Sequence, residues 1–144
     1  MKMFLKVFLV TLLVSVSIQK NAVGDAIAWT ASYTIGLPVE DGASGPYAFD
    51  ATGLTYWAYL ENKVAIPRDI DGQFKAGVEI PLRDIDNGDL LFFDIDHKGT
   101  ASHVGIYMGD GEFMHAFQDR GVVEYAELNL PYFKSHFVGA RRPW

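Results

Sequence analysis

The 144-residue chain contains no cysteine. Disulfide cross-links and thiolate metal sites are therefore excluded, and stability has to come from the core alone. Taken literally, thiol catalysis is excluded too. Basic runs are also missing, since Arg141–Arg142 is the only adjacent pair of lysines or arginines and the net charge is −6. A phosphate backbone would be repelled by most of such a surface, which argues against nucleic-acid binding. No internal repeat or low-complexity segment is visible. The longest apolar stretch, Val7 to Val16, is interrupted by Thr11 and Ser15. It falls short of the roughly 18–20 apolar residues that a membrane-spanning helix needs.

That stretch follows a start carrying Lys2 and Lys6 and no acid. A basic start and a short apolar run have the form of a secretory signal peptide, and Ser15-Val16-Ser17 supplies small residues for cleavage after Ser17. The expected organisation is a signal peptide over 1–17 and one domain over 18–144. The domain would be secreted and monomeric, with no membrane span once the signal is removed. With 49% apolar and 21% charged residues, composition is that of an ordinary globular domain.

Asp25 to Gly36 reads as a helix capped by Asp25, with Ile27, Ala28, Ala31 and Ile35 on one face. A loop over Val39 to Pro46 leads to a second helix through Leu54 to Leu60, with Asp50 or Thr52 as its N-cap. A loop with a short helix near Gln73 to Gly77 follows. Asp89 to Asp94 is a continuous apolar run between acids, the mark of a strand buried on both faces. Val104 to Met108, Glu112 to Phe117, Val122 to Ala126 and Phe137 to Arg141 complete about five antiparallel strands. Helices first and strands after predict an α+β domain with helices packed on an antiparallel sheet. Trp29, Tyr56, Trp57, Tyr59, Phe92 and Phe93 are core candidates, and Leu128 to Phe133 could form a lip at a groove.

His103 and His115 stand on consecutive strands across the turn Gly109-Asp110-Gly111. A base and the residue that orients it must be neighbours on one face. A regular hairpin with a two-residue Asp110-Gly111 turn pairs Ile106 with His115 and puts the histidines on opposite faces. One bulge, or a three-residue loop, pairs Gly105 with His115 and brings both imidazoles to the same face. A catalytic pair therefore requires an irregular hairpin, and bare spacing favours two unrelated histidines.

The segment Phe49-Asp50-Ala51-Thr52-Gly53-Leu54 resembles the Asp-Cys-Ser-Gly-Leu element of NlpC/P60 peptidases, with alanine where those enzymes have cysteine. Asn87-Gly88-Asp89-Leu90-Leu91-Phe92-Phe93 is similar to their Pro-Gly-Asp-Leu-hydrophobic-Phe strand. Ser102 to Gly109, Phe113 to Ala116 and Phe137 to Arg142 resemble the segments that follow, in the family's order. The resemblance implies a papain-like fold that needs no cofactor or metal and cuts peptidoglycan stem peptides between D-glutamate and the diamino acid. It places Ala51 at the nucleophile position, makes His103 the general base, and makes His115 the residue that orients it. The oxyanion would be met by backbone N–H groups at the helix start. Asp50, Thr52 and Ser102 become substrate contacts, Asp50 facing a stem-peptide amine.

Three departures accompany this. Ala51 removes the nucleophile, so the chain as written is expected to be inactive. Thr52 stands for the usual serine and keeps a hydroxyl. Val39 occupies a place where a tyrosine is usual. Retention of both histidines favours a deliberate replacement of cysteine by alanine. The alternatives are a natural pseudoenzyme that binds wall peptides without cutting, and an amidase or acyltransferase on the same fold. Asp84 to Asp89 does not complete a calcium loop, because its glycine comes one residue early and Ile95 holds the twelfth position. Asp94, Asp96 and His97 read as a solvated loop and His136 as an exposed residue.

Overall fold

The structure, a computed structural model, describes residues 22–144, so the signal peptide expected over 1–17 lies outside the described residues. The first helix, α1, runs over 22–32. It is followed by α2 (Ala51–Glu61), α3 (Ile70–Phe74), β1 (Val78–Ile80), β2 (Leu90–Phe93), β3 (His103–Gly109), β4 (Glu112–Ala116), β5 (Val123–Glu127), α4 (Pro131–His136) and β6 (Phe137–Arg142). The strands form one antiparallel sheet in the order β1-β6-β2-β3-β4-β5. No described helix is long and apolar enough to cross a membrane.

The sheet is buried on both faces at its centre. Alternate residues of β2 serve the two sides, Leu90 and Phe92 packing with Ile27, Ala31, Leu54 and Tyr59 of the helices. Leu91 and Phe93 pack instead with Phe113, Leu128 and Phe133 on the other face. That two-sided demand is why β2 reads as an unbroken apolar run. Two polar ties add to this packing, one between α2 and the turn before β2 and one between neighbouring strands. Tyr59 donates its hydroxyl hydrogen to the Gly88 carbonyl. Arg142 makes a two-pronged contact with buried Asp89, both N···O distances being 2.8 Å.

Several expectations are corrected. The helix α1 includes 22 and stops at 32, so Asp25 lies inside it and bonds Asn87 instead of capping. Ile35 falls in the turn beyond and is exposed, while Ile27, Ala28 and Ala31 are buried as expected. Trp29 lies on the solvent face at 66% exposure, edge-on to Tyr33. The short helix expected near Gln73 to Gly77 begins earlier, at Ile70, where Asp69 accepts from the Gly72 N–H. Among the described residues there are six strands rather than about five. β1 is the addition, pairing at the edge with β6 through Val78, Glu79 and Ile80.

Candidate active site

The sheet and α2 meet around a cleft of about 430 Å³. Asp50, Ala51 and Thr52 at the start of α2, Ser102 and His103 at the start of β3, and Ala116, Phe117 and Gln118 after β4 all line it. Val39, Asp41, Ile70, Ile95 and Asp96 complete the wall. Among the six predicted residues, only His115 is not at the cleft surface. It lies behind His103.

The start of α2 is fixed by Asp50. Its Oδ1 accepts from the Gly53 N–H at 2.7 Å, an N-cap bond, and its Oδ2 accepts from the Gly42 N–H at 2.9 Å. The first bond along the helix runs from the Leu54 N–H to the Asp50 carbonyl. The amides of Ala51 and Thr52 precede it and have no acceptor within the helix. Position 51 therefore stands at the positive end of the helix beside N–H donors, where a thiolate or an oxyanion would be stabilised.

Arg68 secures this corner. Its guanidinium donates to Asp50 at 2.8 Å and Ser44 at 2.8 Å, and also to Thr52. Buried Gln73 adds a second tie, accepting from the Thr55 hydroxyl and donating to the Thr52 and Pro67 carbonyls. Neither residue carried a signal in the sequence. Each stands among other polar residues of the segment Arg68 to Lys75, and most of its partners lie elsewhere in the chain.

The hairpin β3–β4 contains the irregularity that the catalytic reading demands. Asp110 and Gly111 both have positive φ, +54° and +80°, as a two-residue hairpin turn requires. The register then slips between Tyr107 and Gly109, so Ile106 faces Met114 instead of His115. Extended by one residue, this pairs Gly105 with His115 and brings both imidazoles to one face. Gly105 keeps the space open, because a β-carbon there would lie 2.7 Å from the Phe113 ring. His103 Nε2 and His115 Nδ1 are 2.8 Å apart.

Both imidazoles are buried, at 5% and 1% exposure, so burial works against their charged forms. His103 is pushed down to about 3 by burial and by His115. His115 is pushed down to about 4 by burial and by the positive charge of Arg120. The pair is neutral at pH 7. Phe117 roofs it, its ring 5.0 Å from that of His103 and stacked 5.4 Å from that of His115. Sequence reading missed Phe117, which looks like the end of an ordinary strand.

Of the other predicted contacts, Ser102 lines the cleft, but its hydroxyl oxygen accepts from the Ile95 N–H at 2.9 Å and so shapes the loop. Thr52 turns its hydroxyl to Arg68 and Asp50. Among the described residues no lysine or arginine lines the cleft, whereas Asp41, Asp50 and Asp96 do. Among the described residues no cluster of three or more His, Asp or Glu is placed to hold a metal ion.

Comparison with known proteins adds context. The family model described as "NlpC/P60 family" matches residues 36–142. Over 130 residues the chain is 36% identical to a gamma-D-glutamyl-L-lysine dipeptidyl-peptidase of Bacillus subtilis, covering 90% of this chain and 44% of that protein. Over 112 residues it is 38% identical to the murein DD-endopeptidase MepH of Escherichia coli, covering 75% of this chain and 41% of that one. The crystal structure of an NlpC/P60 family protein from Bacillus cereus superposes with a TM-score of 0.78 at 34% identity, covering 83% of this chain and 40% of that one. The chain thus spans less than half the length of each of these relatives.

Proposed function

The chain belongs to the NlpC/P60 family, and from that premise we propose that it is a peptidoglycan hydrolase disabled at position 51. It is built as a cysteine endopeptidase that cuts stem peptides between D-glutamate and the diamino acid. The observation that carries this is the shared cleft of Ala51 and His103, with His103 bonded from behind by His115. A thiol at position 51 would pass its proton to His103. Because His103 Nε2 is occupied by His115, Nδ1 is the nitrogen left to receive it. His103 then carries its own hydrogen on Nε2 and donates it to His115 Nδ1, which fixes the tautomer and the ring orientation. The first amides of α2 would meet the oxyanion of the tetrahedral intermediate.

The acidic lining supports a cationic substrate group, such as the amine of a stem peptide. Asp50 already accepts from Gly53, Gly42 and Arg68, so holding the helix start is its first task. Asp41 is the more available carboxylate for an ammonium group. A location outside the cytoplasm, where a wall substrate lies, is part of this proposal, and the basic start with its short apolar run, Val7 to Val16, supports it.

Two further readings have specific support. Ala51 itself favours a pseudoenzyme that binds wall peptides. The name of the E. coli relative favours a D,D cross-link as the scissile bond. The test is to incubate Ala51→Cys with two defined muropeptides, one uncross-linked and one joined by a D,D cross-link. Release of the diamino acid from D-glutamate in both supports the proposed specificity. Cleavage confined to the cross-link moves the assignment to a D,D-endopeptidase, and tight binding with no cleavage of either supports the pseudoenzyme.

A further inference from the structure

Two histidines that the catalytic scheme leaves unused meet where the loop after β2 touches the end of α4. His97 and His136 lie 39 positions apart, yet their Nε2 atoms face each other at 3.3 Å. The ring of His136 packs on Tyr132, with centroids 4.7 Å apart, which fixes its plane. Its Nδ1 bonds the Tyr132 carbonyl, with the Ser135 hydroxyl 3.2 Å away. A carbonyl can only accept, so the proton of neutral His136 sits on Nδ1 and the lone pair on Nε2 points at His97. A backbone carbonyl on the far nitrogen is the usual support of a metal-binding imidazole.

The spacing agrees with this. Two nitrogens each about 2.0–2.1 Å from a tetrahedral zinc ion are about 3.3–3.4 Å apart. The frame around the pair is also fixed. The Asp94 N–H donates to the His136 carbonyl at 2.8 Å, tying the loop to α4. The Asp94 carboxylate accepts from the Lys98 and Gly99 amides and closes the turn that carries His97. It is therefore occupied, and Asp96 is turned to Lys98 at 3.8 Å.

We propose that His97 and His136 form a two-histidine site for a borderline divalent ion of the zinc class. Its remaining positions are open to water or to a carboxylate from another molecule. Two imidazoles suit zinc, nickel or copper, and not the hard, oxygen-seeking magnesium or calcium. Ile95 and Asp96, on the same loop, line the cleft. An ion joining His97 to α4 would hold that wall in place.

The test is calorimetric titration of the untagged protein with zinc chloride, then magnesium chloride, at pH 7.5 without chelators, with the imidazole resonances followed in parallel. The expected result is one zinc ion per chain, no response to magnesium, and line shifts at His97 and His136 but not at His103 or His115. His97→Ala and His136→Ala should each weaken binding at least tenfold and melt like the parent in zinc-free buffer. No zinc binding up to millimolar concentration would mean the pair is only hydrogen-bonded. Unchanged binding in both variants would put the ion elsewhere. Either result overturns the proposal.

Discussion

His103–His115 and His97–His136 are the same chemical pair built twice, once inside the sheet and once on its rim. The inner nitrogens are 2.8 Å apart and roofed by Phe117. The outer ones are 3.3 Å apart and joined to a loop and a short helix. Burial makes the difference. The inner pair is held neutral, and His103 shares its cleft with position 51, as a base for a thiol must. The outer pair keeps room between its nitrogens and access to solvent, as a metal site must.

The largest expected effect separates the pairs by activity. In the Ala51→Cys background, His103→Ala should lower hydrolysis by about two to four orders of magnitude, measured as release of wall fragments. His97→Ala in metal-free buffer should leave the rate within a factor of two.

Acid should expose the inner pair next. Free histidine titrates near 6.5, and in the folded chain His103 and His115 are held at about 3 and about 4. The unfolded chain therefore binds more protons between these limits. Folding stability is fully present above about pH 6.5 and falls as pH drops towards 4, by up to about 1.4 kcal/mol per pH unit for each residue. Urea unfolding from pH 7 to 4.5 measures this slope. His115→Phe, which keeps an aromatic ring and removes one buried base, should flatten it.

Gly105→Ala is a smaller, structural perturbation. The new β-carbon meets the Phe113 ring at 2.7 Å and the Met114 carbonyl at 2.9 Å, so the hairpin has to shift. A loss of about 1–3 kcal/mol is expected from such overpacking, read from the urea midpoint. The smallest effect is that of Phe117→Ala. Water then reaches the imidazoles, and their titration should move upward towards 6.5 without unfolding, which two-dimensional NMR of the ring resonances resolves.

How much of this could be read from the sequence depended on whether the signal was local. The N-cap Asp50, the buried run Leu90–Phe93 and the Asp110-Gly111 turn are each written within a few residues, and each is present. The histidine register was left open because two alternatives differ by a single bulge, and the slip between Tyr107 and Gly109 has no clear sequence mark. Arg68 and His136 lie beyond local reach. Arg68 meets Thr52 and Asp50 16 and 18 positions away, and His136 meets His97 from 39 positions along the chain. β1 was missed because an edge strand of three residues, largely exposed and ended by Pro81, offers no alternating pattern. Trp29 was misplaced for the opposite reason. Its size suggests core, but the turn of α1 that buries Ile27 and Ala31 leaves it outside.

The central claim is that the cleft lacks only a sulfur atom. The direct measurement compares the parent chain with Ala51→Cys on purified peptidoglycan, identifying released fragments by mass spectrometry. The account predicts fragments ending at D-glutamate from the variant alone, lost again when His103→Ala is added. A folded Ala51→Cys protein that releases nothing from several wall types would contradict it.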